Sequence, residues 1–152
     1  MLKRILAISL FLAIITTTPV RAAVPNERAC NASALAAVED HWSVAALTGK
    51  VDYLKTLIAA QYRSVGGNGR VSDKAAILAH AVTFGKDPSM MAMYRKSKSR
   101  YASLYQVHGT TGVVIHYLRT KGPSSGITGV DVFSYDQNDG WSAVYSQHTS
   151  IR

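Results

Sequence analysis

Asp131 and Tyr145 make the most coherent chemical pair in the chain. A carboxyl group whose pKa is raised by burial can take a proton near neutral pH, and a phenol can donate to the oxygen of a polarised carbonyl. His116 and His41 are further candidate proton carriers, because imidazole titrates in the same range. As catalytic groups, Asp131, His116 and His41 would suit an isomerase or dehydratase that moves a proton beside a carbonyl. Trp42, Tyr62, Tyr145 and Gln147 suit binding instead, since aromatic walls with a few polar groups are what small-ligand pockets use. Binding ranks above catalysis, and for Trp42 and Trp141 the competing reading is plain core. A third reading is an interaction role, in which an exposed sheet face pairs two copies or docks another protein.

No metal or cofactor is readable from motifs. The histidines, His41, His80, His108, His116 and His148, form no i, i+4 pair and accompany no cysteine set, so any metal site would have to be assembled by the fold. Gly66-Gly67-Asn68-Gly69 lacks the context of a phosphate or dinucleotide loop. Gly122-Pro123-Ser124-Ser125-Gly126 has the letters of a nucleophile elbow, yet a strand follows it where a helix is required.

Helices come first among the elements that must position these residues. Leu35, Val38, Trp42 and Ala45 recur at helical spacing after a candidate N-cap at Asn26, and Thr48-Gly49 ends the pattern. Asp52 opens a shorter helix through Leu54, Leu57 and Ile58, and Ser72 or Asp73 caps a third that carries Ile77, Leu78, Ala81 and Phe84 up to Gly85. Tyr62 to Val65 reads as a short strand that turns at Gly66-Gly67-Asn68-Gly69 and resumes at Arg70-Val71. Lys86 to Arg100, with Arg95, Lys96 and Lys98 beside Met90, Met91, Met93 and Tyr94, reads as a solvated, mobile loop or lid without a nucleic-acid motif.

Tyr101–Val107, Gly112–Arg119, Ile127–Tyr135 and the final strand alternate as a four-stranded meander, which predicts an α+β fold with an antiparallel sheet covered on one face. In the last strand, Asp139-Gly140 supplies a turn with positive φ. Period two then places Trp141, Ala143, Tyr145, Gln147 and Thr149 on one face and Val144, Ser146 and His148 on the other. That alternation assigns His148 to dimer contact or solvent.

The 152 residues are 47% hydrophobic and 17% charged, a composition that fits one globular domain and excludes disordered and fibrous classes. Residues 1–22 read as a secretory signal peptide. Lys3 and Arg4 precede an apolar run from Ile5 to Ile15, Thr16-Thr17-Thr18-Pro19 breaks it, and Val20-Arg21-Ala22 offers small residues for cleavage. The run is shorter than the roughly 20 residues a bilayer requires, so a retained anchor is the minor alternative. The expected location is therefore periplasmic or secreted, with no membrane span after cleavage. Loss of Lys3, Arg4 and Arg21 leaves 14 basic and 9 acidic residues, a net charge of +5 that favours anionic surfaces or ligands. Cys30, the lone cysteine, allows no internal disulfide and reads as a small, half-buried residue of the first helix.

Residues 34–151 resemble the nuclear transport factor 2-like (NTF2-like) superfamily, in its DUF4440 and SnoaL-like branch. The likeness rests on Trp42 with Ala45, Gly69-Arg70-Val71-Ser72-Asp73-Lys74-Ala75-Ala76, and Val107-His108-Gly109-Thr110-Thr111-Gly112-Val113-Val114. It continues through Asp131-Val132-Phe133, Asp139-Gly140-Trp141 and Ser146-Gln147-His148-Thr149. The chain departs from the family where Lys50 follows Gly49 and where Ala60-Gln61 precede Tyr62, so the family's acids at those places have no counterpart. The resemblance implies a cone of three N-terminal helices on a curved antiparallel sheet over residues 34–152, after a lead-in at 23–33. It implies a homodimer packed through the sheet around a pocket for an unknown small molecule; the motifs themselves lead to the expectation of no cofactor and no nucleic acid. One chemistry does not follow, because the fold hosts isomerases, dehydratases and domains that only bind.

Overall fold

The computed structural model describes residues 26–119 and 126–151. The expected signal peptide and residues 121–125 of the expected hairpin loop lie outside them. Four helices and six strands follow in the order α1 (Ala32–Thr48), α2 (Val51–Leu57), β1 (Ile58–Val65), β2 (Val71–Asp73), α3 (Lys74–Phe84), α4 (Pro88–Lys98), β3 (Tyr101–His108), β4 (Thr111–Arg119), β5 (Gly126–Asp136) and β6 (Gly140–Ile151). The strands form one sheet in the order β2-β1-β6-β5-β4-β3. All neighbours are antiparallel except β1 and β6, which run parallel.

The first helix starts later than its sequence suggests. Asn31, not Asn26, is its N-cap, with a side-chain oxygen that accepts from the Ala34 N–H at 2.9 Å. Gly49 ends it in the left-handed conformation at φ 69°. Cys30 therefore precedes the helix and is exposed, with its thiol 3.4 Å from the Gly109 carbonyl. Asp73 caps α3 as expected, and Ile58 begins β1 instead of ending α2.

The expected three helices are four, because the segment read as a mobile loop folds as α4. Asp87 caps it by accepting from the Ser89 N–H at 2.9 Å, and Pro88 fills the first turn, where a missing N–H costs nothing. Tyr94 and Lys98, one turn apart, both hydrogen-bond Asp40 of α1 and tie the new helix to the first. Those bonds, that of Lys98 foremost, hold the Asp40 carboxyl below its usual range.

The core lies between α1 and the concave sheet face. Leu35, Val38, Trp42 and Ala45 from α1 meet Val114, Phe133, Trp141 and Ala143 from the strands. Trp42 packs edge-on against both Tyr62 and Phe133, at ring-centroid distances of 6.0 and 5.7 Å. Gly112 lets Leu35 of α1 and Trp141 close over β4, since a Cβ there would lie 2.9 Å from both. Gly140, at φ 83°, supplies the positive φ expected of the last turn.

Candidate functional site

Cross-strand register sorts the candidates. Val114 stands opposite Asp131, and Asp131 opposite Ser146, so these side chains share the concave face with His116, Phe133 and Ser103. The expected alternation of β6 breaks at Val144. Val132 pairs with Tyr145 while Phe133 pairs with Ala143, which leaves one extra residue on β6 as a bulge. Trp141 and Ala143 therefore face the core, but beyond the bulge Ser146 and His148 do so, and Tyr145 and Gln147 turn to the convex face.

Four residues expected to line the pocket thus take other places. Trp42 and Tyr62 are buried core, while Gln147 is exposed and accepts from the Tyr145 hydroxyl at 3.1 Å on the outer face. Tyr145 cannot partner Asp131 from there. His148 lies on the face opposite Gln147 and is exposed as expected, yet that face is the concave one, where its ring leans over Gly129. His41 also stands apart. Its ring stacks on Tyr53 at 3.7 Å, its Nδ1 lies 3.0 Å from Glu27, and beside it is an open depression of about 390 Å³ lined by Gly49, Lys50, Val51, Asp52 and Tyr53.

The fold does bring Asp131 and His116 together, and it adds a group the sequence reading passed over. His116 Nε2 lies 2.6 Å from Asp131 Oδ2 and 3.4 Å from Glu39 Oε1, while its Nδ1 lies 3.1 Å from Ser103 Oγ. The Ser146 hydroxyl donates a hydrogen bond to Asp131 Oδ1, and the Tyr62 hydroxyl stands beside those of Ser146 and Ser64. A polar chain thus crosses β3, β4, β5, β6 and β1 on the face that α1 covers. Glu39 is 8% exposed, Asp131 4% and Ser146 1%. Burial on this scale is tolerated only where polar atoms are bonded. Among the described residues one side-chain atom breaks that rule, Glu39 Oε2, which is buried without a partner.

Electrostatics make the group a proton store. Burial disfavours an imidazolium, but the hydrogen bonds to Asp131 and Glu39 and the charges of both outweigh it, pushing His116 up to about 10. Its two N–H groups then serve the carboxylates and Ser103. Burial pushes the Glu39 carboxyl up from its ordinary value; the His116 hydrogen bond opposes this and the Asp131 charge adds to it. One cation between two carboxyl groups leaves Glu39 as the natural holder of a proton. Glu39 had a signal in the sequence, since it falls within the stripe of Leu35, Val38, Trp42 and Ala45 on the buried side of α1. Ser103 and Ser146 had none of comparable strength.

Comparison with known proteins gives the fold its name. No protein-family model matches the chain, and no curated protein matches it. Among solved structures, it is similar to an NTF2-like protein from Cytophaga hutchinsonii at TM-score 0.54 and 13% identity, covering 77% of this chain and 95% of that one. An NTF2-like protein of unknown function in nutrient uptake from Rhodospirillum rubrum matches at TM-score 0.53 and 20% identity, over 78% and 98% of the two chains. The CaMKII hub of S. rosetta matches at TM-score 0.54 and 18% identity, over 81% and 98%. The chain has the NTF2-like fold.

Proposed function

We propose that this protein is an exported NTF2-like domain that binds a small polar molecule at the open end of its concave sheet face, with Glu39, His116 and Asp131 as the polar base of the site. The observation that carries this reading is Glu39 Oε2, a buried oxygen with no partner in a group whose other members are bonded. Such an atom costs on the order of 1–3 kcal/mol unless something bonds it. A ligand with a hydroxyl or amine would supply that bond. The rim of the concave face, where Tyr101 is 41% and Ile127 39% exposed, offers the apolar walls.

A thermal-shift screen of small hydroxy acids, amines and carbonyl compounds tests it. Compounds that stabilise the wild-type protein should lose their effect in Glu39→Gln and keep it in Tyr145→Phe and Gln147→Ala, whose side chains lie on the other face. Shifts that survive Glu39→Gln would exclude the site.

Proton transfer of the isomerase or dehydratase type is the second reading, favoured by the raised pKa of Glu39 beside His116. Here Glu39, not Asp131, is the acid or base, because Asp131 is engaged on both oxygens by His116 and Ser146.

A further inference from the structure

The same three residues have the composition and compactness of a metal centre. Glu39, His116 and Asp131 each offer a ligand atom, and these atoms all lie within 4.8 Å of one another. Two carboxylates and a neutral imidazole carry a charge of −2, which a divalent ion would cancel. In a tetrahedral site with bonds near 2.1 Å, ligand atoms stand about 3.4 Å apart. His116 Nε2 and Glu39 Oε1 stand at 3.4 Å, and the 2.6 Å between His116 Nε2 and Asp131 Oδ2 needs to open by less than about 1 Å.

The outer partners fit as well. A metal-binding histidine usually bonds through its second nitrogen to a group that fixes the ring, and a metal-binding carboxylate is itself bonded. His116 Nδ1 has Ser103 Oγ at 3.1 Å, and Asp131 Oδ1 receives the Ser146 hydroxyl. Glu39 Oε2, buried and unpartnered, is the independent sign that something is missing from the group.

We propose that Glu39, His116 Nε2 and Asp131 Oδ2 bind a divalent transition-metal ion of the Zn²⁺ class, leaving a coordination position open toward the rim of the concave face. The inference rests on the reading above, since the small molecule would occupy that position. Imidazole among the donors favours Zn²⁺ and its neighbours over Mg²⁺ and Ca²⁺, which take oxygen.

The test is calorimetric titration of chelator-stripped protein with ZnCl₂ alone. One equivalent should bind, with Mg²⁺ and Ca²⁺ far weaker. Glu39→Gln and His116→Gln should weaken zinc binding about 100-fold, and Ser103→Ala, at an exposed outer position, about tenfold. His148→Ala should leave it unchanged. Circular dichroism establishes that each variant is folded; should His116→Gln unfold, the Ser103→Ala result decides. Absence of zinc binding, or wild-type affinity in Glu39→Gln and Ser103→Ala, overturns the proposal. Repeating the compound screen in chelator separates the two readings. Thermal shifts that persist without metal and vanish in Glu39→Gln leave the small-molecule site standing and remove the ion. Stoichiometric zinc with no compound response retains the ion and removes the small molecule.

Discussion

Each face of the sheet carries an exception to the usual placement of polar and apolar side chains. The covered face carries the chain from Ser103 through His116, Asp131 and Ser146 to Tyr62, together with the Glu39 carboxyl of α1. The open face carries Leu104, 53% exposed, and Ile115, 38% exposed, as neighbours on β3 and β4. Each arrangement is costly alone. Buried polar groups need bonds and exposed apolar groups need cover, so each face points to a molecule the single chain does not supply. On the reading proposed above, the concave face takes a small polar or cationic ligand. The convex face suits a second copy of this chain, as a homodimer through the sheet would provide.

The contrast can be broken from the polar side with the largest effect. Asp131→Ala removes the partner of both His116 and Ser146, and should cost about 3–5 kcal/mol in urea unfolding at neutral pH, as loss of one member of a buried pair does. Glu39→Met should act in the opposite sense. It replaces a buried carboxyl whose Oε2 has no partner and whose Oε1 stands 3.4 Å from His116 with an apolar side chain of similar length, so removal of the unpaired oxygen should outweigh loss of that long contact and stability should rise by about 1–3 kcal/mol while ligand and metal binding disappear. A loss of stability there would show that Glu39 is a structural member of the chain.

Acidity offers a finer probe. His116 is pushed up to about 10 from 6.5, so its contribution to the metal-free protein is fully present below pH 6.5 and is lost as pH rises toward 10. Unfolding free energy should fall across that window, and His116→Gln should flatten the slope. On the convex face, Leu104→Glu should change the stability of the folded monomer by less than about 0.5 kcal/mol. Its effect should appear in light scattering, as a shift from dimer to monomer. An unchanged mass would remove the dimer and leave the exposed apolar row unexplained.

The overall fold was legible because its signals are local. Apolar spacing placed α1 and α3, Asp73 and Gly49 marked their ends, and alternation placed β3, β4 and β5. The helix α4 was hidden by composition, since Arg95, Lys96 and Lys98 read as a solvated run and only Asp87-Pro88 announces it. The parallel pairing of β1 with β6 was also beyond reach, because it joins segments about eighty residues apart.

The site was half legible for the same reason. Asp131 and His116 stood out by residue type, but that they meet depends on the β4–β5 register, which places Asp131 and His116 on one face two residues apart. Glu39 drew no reading from the sequence although its position in the apolar stripe marked it. Tyr145 and Gln147 were misplaced by a correct rule applied across an irregularity that no local residue type signals.

That irregularity acts as a change of phase. Upstream of Val144 the strand is read in one frame and downstream in the other, so a single inserted residue decides which side chains of the terminal sequence meet the covered face. Deleting Val144 would remove the bulge and keep Ser146 opposite Asp131, whereas pairing Val144 in regular alternation would present Tyr145, Gln147 and Thr149 to the inside and expel Ser146 from its bond to Asp131. The chemistry of the concave face is therefore encoded as much by the length of β6 as by its composition.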